Sequence, residues 1–436
     1  MSSRFSAAVA ALPTGTIPVG LGLLVNGVST YGFQILAFRM LGAEPYAALN
    51  GLWVTAFILA PGLFLPLEQE VARAVAHRRS LGQGVRPVLR KAAVLGVALI
   101  AGVVVVLVIA RQPLEERLLR SSDGLFVALI VVLVGWGLMS VARGALSGNG
   151  RFGRYAVVVG VDGFARVALA AVLGALGVAT LGWFGVVFAI APFLAVIAGL
   201  LGARGLADDG PPASYSELTT AIGWLLAGST LAQALGYSAY VGASLLATPS
   251  QNAALGAFIA GLFVARVPIL LFQAVQAALL PRLAALLGRG KVREFRSGFL
   301  RLLVIVVVAS GAAVLLAGTI GPAAGRILFG ESFTLGAAAL AALTAGCCLT
   351  VIGLTLAQAL IALRRYALPA LAWLAGFAAF LAVLVPTSGD VFARAEAAFV
   401  VGGLVAVAAM ASAVGAALRR VAGDAVSSET AMGRPA

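Results

Sequence analysis

Asp162 and Arg166 stand four residues apart in an otherwise apolar run, Val161-Asp162-Gly163-Phe164-Ala165-Arg166. On a helix, that spacing puts carboxylate and guanidinium on one face, where each neutralises the other. The same carboxylate could instead be a titratable site that takes H+ or Na+. Arg266 lies in a second apolar run, Phe263-Val264-Ala265-Arg266-Val267-Pro268, with Gln273 and Gln276 continuing its face. An arginine at the centre of a membrane span costs about 2.5–3.5 kcal/mol on insertion scales. It must therefore face water, a carboxylate or a bound anion. Asn26, Thr30 and Gln34 recur at i, i+4 and i+8, and Ser229, Gln233, Tyr237 and Tyr240 follow a similar stripe. Such stripes either line a polar cavity or hold helices together by hydrogen bonds. Glu68, Glu70 and Arg73 follow Pro61 and Pro66 and could form a gate, a latch or a solvated helix end. Arg39 could snorkel, pair with Glu44 or line the outer mouth of a cavity.

The elements that must position these groups are membrane helices. Of 436 residues, 61% are hydrophobic and only 11% are charged, with a mean hydropathy of +1.06. A soluble domain is about 45–50% apolar and about 25% charged. Crossing the hydrocarbon core takes about 20 apolar residues. Twelve such segments are expected, near 15–37, 46–66, 92–110, 125–147, 155–177, 183–203, 224–246, 251–275, 298–320, 335–357, 366–386 and 398–418. The first is too long for a signal-peptide core. The expected domains are a six-helix bundle over 1–203, a cytoplasmic linker over 204–223, a second six-helix bundle over 224–420 and a disordered cytoplasmic tail over 421–436.

A net charge of +14 could suggest nucleic-acid binding. Its placement argues otherwise. With the N-terminus in the cytoplasm, 22 of the 30 basic residues fall on the cytoplasmic side. That asymmetry predicts both termini inside, with the charge anchoring topology and meeting lipid headgroups. The only cysteines, Cys347 and Cys348, are adjacent, and His77 is the single histidine, so no Cys/His metal site is expected. No Walker A, HExxH or GxSxG sequence occurs, and no cofactor is expected beyond a coupling ion, H+ or Na+. Transport without ATP chemistry is what remains, and the chain is not expected to be an enzyme.

The two halves resemble each other. Ala47-Ala48-Leu49 and Ala253-Ala254-Leu255 are 206 residues apart, as are Tyr31 and Tyr237. Arg117-Leu118-Leu119 pairs with Arg326-Ile327-Leu328, and Ala145-Leu146 with Ala359-Leu360. Six spans per half give both halves the same orientation. The expected fold is therefore all-α and polytopic, with about twelve transmembrane helices in two parallel six-helix repeats around a central cavity.

The stretch from Leu36 to Tyr46 resembles the first hairpin of the polysaccharide transporter family, within the multidrug/oligosaccharidyl-lipid/polysaccharide exporter superfamily. Ala142 to Phe152, Ala265 to Ala284 and Ile327-Leu328-Phe329-Gly330 resemble later segments of that family. The resemblance implies a flippase of the bacterial plasma membrane. It would move polyprenyl-pyrophosphate-linked oligosaccharide outward by alternating access for cell-surface polysaccharide biosynthesis. Its partners would be the lipid-linked anionic glycan, membrane lipids, a polysaccharide polymerase and glycosyltransferases, with no nucleic acid. Arg266, Arg39 and Arg143 would hold the pyrophosphate, while Asn26, Thr30, Gln34, Gln233, Tyr237 and Gln273 would meet the sugars. Three other readings remain open: a cation-coupled multidrug antiporter using Asp162, a lipid II flippase, and a transport-inactive envelope scaffold. The drug antiporters often carry an acid in the first or seventh helix, and both lack one here.

Overall fold

The computed structural model describes residues 16–119, 122–218, 222–269, 272, 292–331, 333–385 and 388–432. Among them there are fifteen α-helices and no strands. Seven lie in the first half: α1 (Thr16–Leu41), α2 (Ala43–Ser80), α3 (Arg86–Ile109), α4 (Arg111–Arg117), α5 (Asp123–Gly148), α6 (Phe152–Ala175) and α7 (Leu181–Leu200). The second half holds α8 (Ile222–Gly236), α9 (Ser238–Leu246), α10 (Asn252–Ala265), α11 (Val292–Thr319) and α12 (Gly321–Phe329). It ends with α13 (Ala337–Ala362), α14 (Ala367–Leu384) and α15 (Val391–Met432). Among the described residues, eleven helices are long and apolar enough to cross a membrane.

The chain divides into two compact units, Met1–Ile222 and Gly223–Ala436. In the first, α1 packs on α6, α2 and α3 on α5, and α7 on both α5 and α6. Small residues let these backbones close. A Cβ on Gly144 would stand 2.8 Å from the Glu68 carbonyl, and one on Gly148 would stand 2.7 Å from that of Ala72. This is a Gly-xxx-Gly contact between α5 and α2, the means by which helices associate in lipid without a hydrophobic driving force. Gly163 of α6 meets the backbone of Asn26 in the same way, at 2.7 Å. Val97, Val106 and Ile109 of α3 are 65, 62 and 80% exposed, an apolar face suited to lipid.

The second unit repeats the pairing order. Its second and third spans, α10 and α11, pack on α13, and α15 packs on α13 and α14. Val304 and Val308 of α11 face outward as α3's valines do.

Beyond the apolar run that ends at 66, α2 continues to Ser80, through Pro61 and Pro66. Two elements differ from the sequence expectation. The span expected over 224–246 is two helices, α8 and α9, joined at Tyr237. The last helix runs to Met432, where a disordered tail was expected from 421.

Candidate functional site

Two polar assemblies lie inside the first unit. In one, Asn26 of α1 reaches across to α6, donating to the Val159 carbonyl at 2.8 Å and to Asp162 Oδ2 at 3.3 Å. Arg166 donates its Nε to the Asp162 carbonyl at 2.8 Å and pairs through Nη2 with Asp162 Oδ2. Arg166 is 1% exposed and Asp162 5%. The guanidinium carbon lies 5.2 Å from the Trp53 ring and 5.9 Å from that of Phe188. Aromatic faces thus enclose the cation where water is excluded. Asp162 Oδ1 and Arg166 Nη1 have no hydrogen-bond partner. Buried polar atoms are rarely left so.

The second assembly joins three helices. Arg143 of α5 pairs with Glu68 Oε2 of α2 at 3.0 Å and donates to the Tyr155 hydroxyl of α6 at 3.0 Å. That hydroxyl donates to Glu68 Oε1 at 3.0 Å. Arg143 therefore carries no uncompensated charge. Glu70 and Arg73 are not part of this group. They pair with each other at 2.7 Å on the exposed side of α2, and Arg73 also reaches the Glu217 carbonyl.

In the second unit, two helix breaks meet. Pro268 lacks the N–H that a continuous helix would give back to Val264, and α10 ends at Ala265. Arg266 at this break donates Nη1 to the carbonyl of Gly236, the last residue of α8, at 2.8 Å. Its guanidinium sits 3.7 Å from the centroid of the Tyr237 ring. Among the described residues no carboxylate pairs with Arg266. Interrupted helices of this kind build sites at the membrane midplane in transporters.

Other expected residues take varied places. Gln34 is buried, with Oε1 unpartnered. Thr30 and Gln233 are half-buried, Tyr237 is buried, and Arg39 is exposed at the end of α1. Gln273 lies outside the described residues. Asn26 binds α6, so the α1 stripe serves helix association at that position. Tyr155 and Trp53 were missed by sequence reasoning, because their partners lie 87 and 113 residues away. Glu396 was placed outside a span but stands one turn into α15, beside a cavity of about 500 Å³ that Asp390 also lines. Among the described residues no three His, Cys, Asp or Glu side chains gather as a metal site.

The segment after α7 is strapped to the first unit. Arg78, 3% exposed, forks onto Glu217 at 2.8 and 3.0 Å and donates to the carbonyls of Pro211 and Pro212. Arg79 bonds Asp208 at 2.7 Å and Asn149 at 2.7 Å, and Arg86 bonds Asp209 at 2.6 Å. The Arg78 guanidinium holds the Glu217 carboxyl below the usual carboxylate range. The guanidinium groups of Arg78, Arg79 and Arg86 all bond this strap.

No protein-family model matches the chain, and no curated protein matches it. Solved structures do. An inward-facing multidrug-resistance MATE family transporter of the MOP superfamily superposes with a TM-score of 0.70 at 16% identity, covering 94% of this chain and 98% of that one. An outward-facing MATE family structure gives 0.66 at 18%, covering 93% and 95%. A MOP superfamily transporter from Pyrococcus furiosus, described by a binding pocket of reverse polarity, gives 0.62 at 16%, covering 92% and 95%. The fold is that of the MATE transporters: an all-helical membrane protein of two repeats.

Proposed function

We propose that this chain is an alternating-access exporter, coupled to a cation through Asp162 and not to ATP. The carrying observation is the buried Asn26–Asp162–Arg166 assembly, which ties α1 to α6 and leaves Asp162 Oδ1 unpartnered. The MATE fold, known in inward- and outward-facing forms, supports the alternating-access part. Charge bears on the cargo. Asp162 offsets Arg166 and Glu68 offsets Arg143, so these assemblies present no net positive charge to an anionic headgroup. An amphipathic organic cation, as in a cation-coupled multidrug antiporter, suits that balance better than a lipid-linked pyrophosphate.

One observation favours the second reading, a flippase for polyprenyl-pyrophosphate-linked oligosaccharide. Arg266 keeps a positive charge without a carboxylate at the paired helix breaks. A charge-assisted fork from that arginine would grip a phosphate. The test is transport in proteoliposomes under an imposed pH or Na+ gradient. Gradient-driven uptake of a fluorescent cation, abolished in the charge-neutral and folded Asp162→Asn/Arg166→Gln variant, supports the antiporter. Gradient-independent flipping of a fluorescent prenyl-pyrophosphate sugar, lost in Arg266→Ala, supports the flippase and would overturn the first reading. Bacterial plasma-membrane placement with both termini cytoplasmic belongs to either reading.

A further inference from the structure

The two repeats end their fourth span with the same turn, and the difference between the copies is informative. In the first unit, α5 closes with Gly150 N–H on the Ser147 carbonyl and Arg151 N–H on the Leu146 carbonyl, Gly150 standing at φ +70°. In the second, α13 closes with Arg364 N–H on the Ile361 carbonyl and Arg365 N–H on the Leu360 carbonyl. Arg364 takes the glycine's place at φ +58°, the only non-glycine residue with positive φ among those described. An L side chain is disfavoured there. A strained, charged residue where its own repeat partner uses glycine points to a role for the side chain.

The surroundings differ as well. In the first unit, Arg154 donates to the carbonyls of Gly199, Leu201 and Gly202, and Arg151 donates to that of Arg204, all at or after the end of α7. In the second unit the last helix does not end at this level. It continues as α15 to Met432 and offers no terminal carbonyls. Arg364, Arg365 and Arg420 instead line a cavity of about 580 Å³ with Trp224, Tyr366 and a wall of alanines. Among the described residues no acidic side chain lines it, and no carboxylate pairs with these arginines. Trp224 is 50% exposed, and Leu368 at the rim is exposed too. Amphipathic aromatics beside arginines mark the level of lipid headgroups.

We infer that this cavity binds a phosphate group, that of an anionic phospholipid, where the first unit uses its own backbone carbonyls. The three arginines take the phosphate oxygens, Trp224 and Tyr366 lie at the glycerol level, and the alanine wall with Leu368 borders an acyl chain. The site is separate from Asp162 and Arg266 and does not depend on which cargo is moved.

The test uses the full chain purified into phosphatidylcholine nanodiscs. Retention of short-chain phosphatidylglycerol is counted by native mass spectrometry against short-chain phosphatidylcholine and inorganic phosphate. Phosphatidylglycerol is expected to be retained over phosphatidylcholine, with affinity falling about fivefold for each of Arg365→Ala and Arg420→Ala. Arg364→Gly separates binding from folding: thermal stability should hold or rise as the strain is relieved, while retention falls. Competition by inorganic phosphate at equal concentration supports the phosphate site and assigns it to a soluble ligand. Equal retention of the two lipids, or unchanged retention in the Arg364→Gly/Arg365→Ala/Arg420→Ala variant, overturns the proposal.

Discussion

Arg266 holds together two interrupted helices: its Nη1 donates to the Gly236 carbonyl at 2.8 Å while its guanidinium lies 3.7 Å over the Tyr237 ring. One side chain thus serves as polar partner to a helix end and as a cation on an aromatic face. Arg266 is part-buried, and a cation–π contact in such a place is worth about 1–2 kcal/mol. Arg266→Ala should therefore slow transport by about tenfold. Tyr237→Phe keeps the ring and should be near wild type, whereas Tyr237→Leu should match Arg266→Ala, and the double variant should be no worse than either single one. Initial rates in proteoliposomes decide this; strictly additive losses would show that the two residues act independently.

The buried pair in the first unit predicts a rescue. Asp162→Asn strands the Arg166 charge among Trp53 and Phe188, and breaking a buried pair costs about 3–5 kcal/mol. That variant should express poorly. Asp162→Asn combined with Arg166→Gln removes both charges and should recover folding, read as monodispersity on size exclusion, without recovering gradient-driven transport. A double variant with normal pH-dependent transport removes Asp162 from the coupling role.

How legible this was differs by residue. The Asp162–Arg166 pair was visible because helical spacing is local, and the span positions because apolar runs are long. The fates of Arg143 and Arg78 were hidden. Their partners, Glu68 and Glu217, lie 75 and 139 residues away, and only packing of α2 on α5 or the return of the strap brings them together. Read alone, Arg143 resembled a substrate ligand because nothing in its own helix neutralises it. The break at Tyr237 had a local sign in Gly236, but an apolar run with one glycine still reads as a continuous span. Arg364 carried no sign at all, since its strain exists only in the turn.

The close approach of α5 to α2 gives a steric prediction. Gly144→Val and Gly148→Val would drive side chains into the Glu68 and Ala72 carbonyls. Overpacking of this kind costs about 1–3 kcal/mol, and here the obstacle is backbone. Both variants should lower the midpoint of thermal unfolding in detergent and disturb the Glu68–Arg143–Tyr155 group. Gly153→Ala, with nothing within 4 Å of the added Cβ, is the control and should be neutral or slightly stabilising.

The strap over 201–218 predicts a pH dependence whose sign follows from Glu217. Its folded carboxyl titrates below the unfolded value because Arg78 donates two hydrogen bonds to it. A depressed carboxylate pKa stabilises the strap above the unfolded value of about 4.3. That contribution is lost as pH falls through the lower, folded value. Protection of the strap amides should therefore be full at pH 7 and decline only below about pH 4.3. Glu217→Gln should show reduced protection already at pH 7 and a flatter profile below it. Arg78→Ala should do more, because Arg78 also serves the Pro211 and Pro212 carbonyls. Hydrogen exchange followed by mass spectrometry over pH 3.5–7, corrected for intrinsic exchange, reads this directly. A wild-type strap whose protection falls equally with Glu217→Gln across that range would falsify the assignment of its acid sensitivity to this pair.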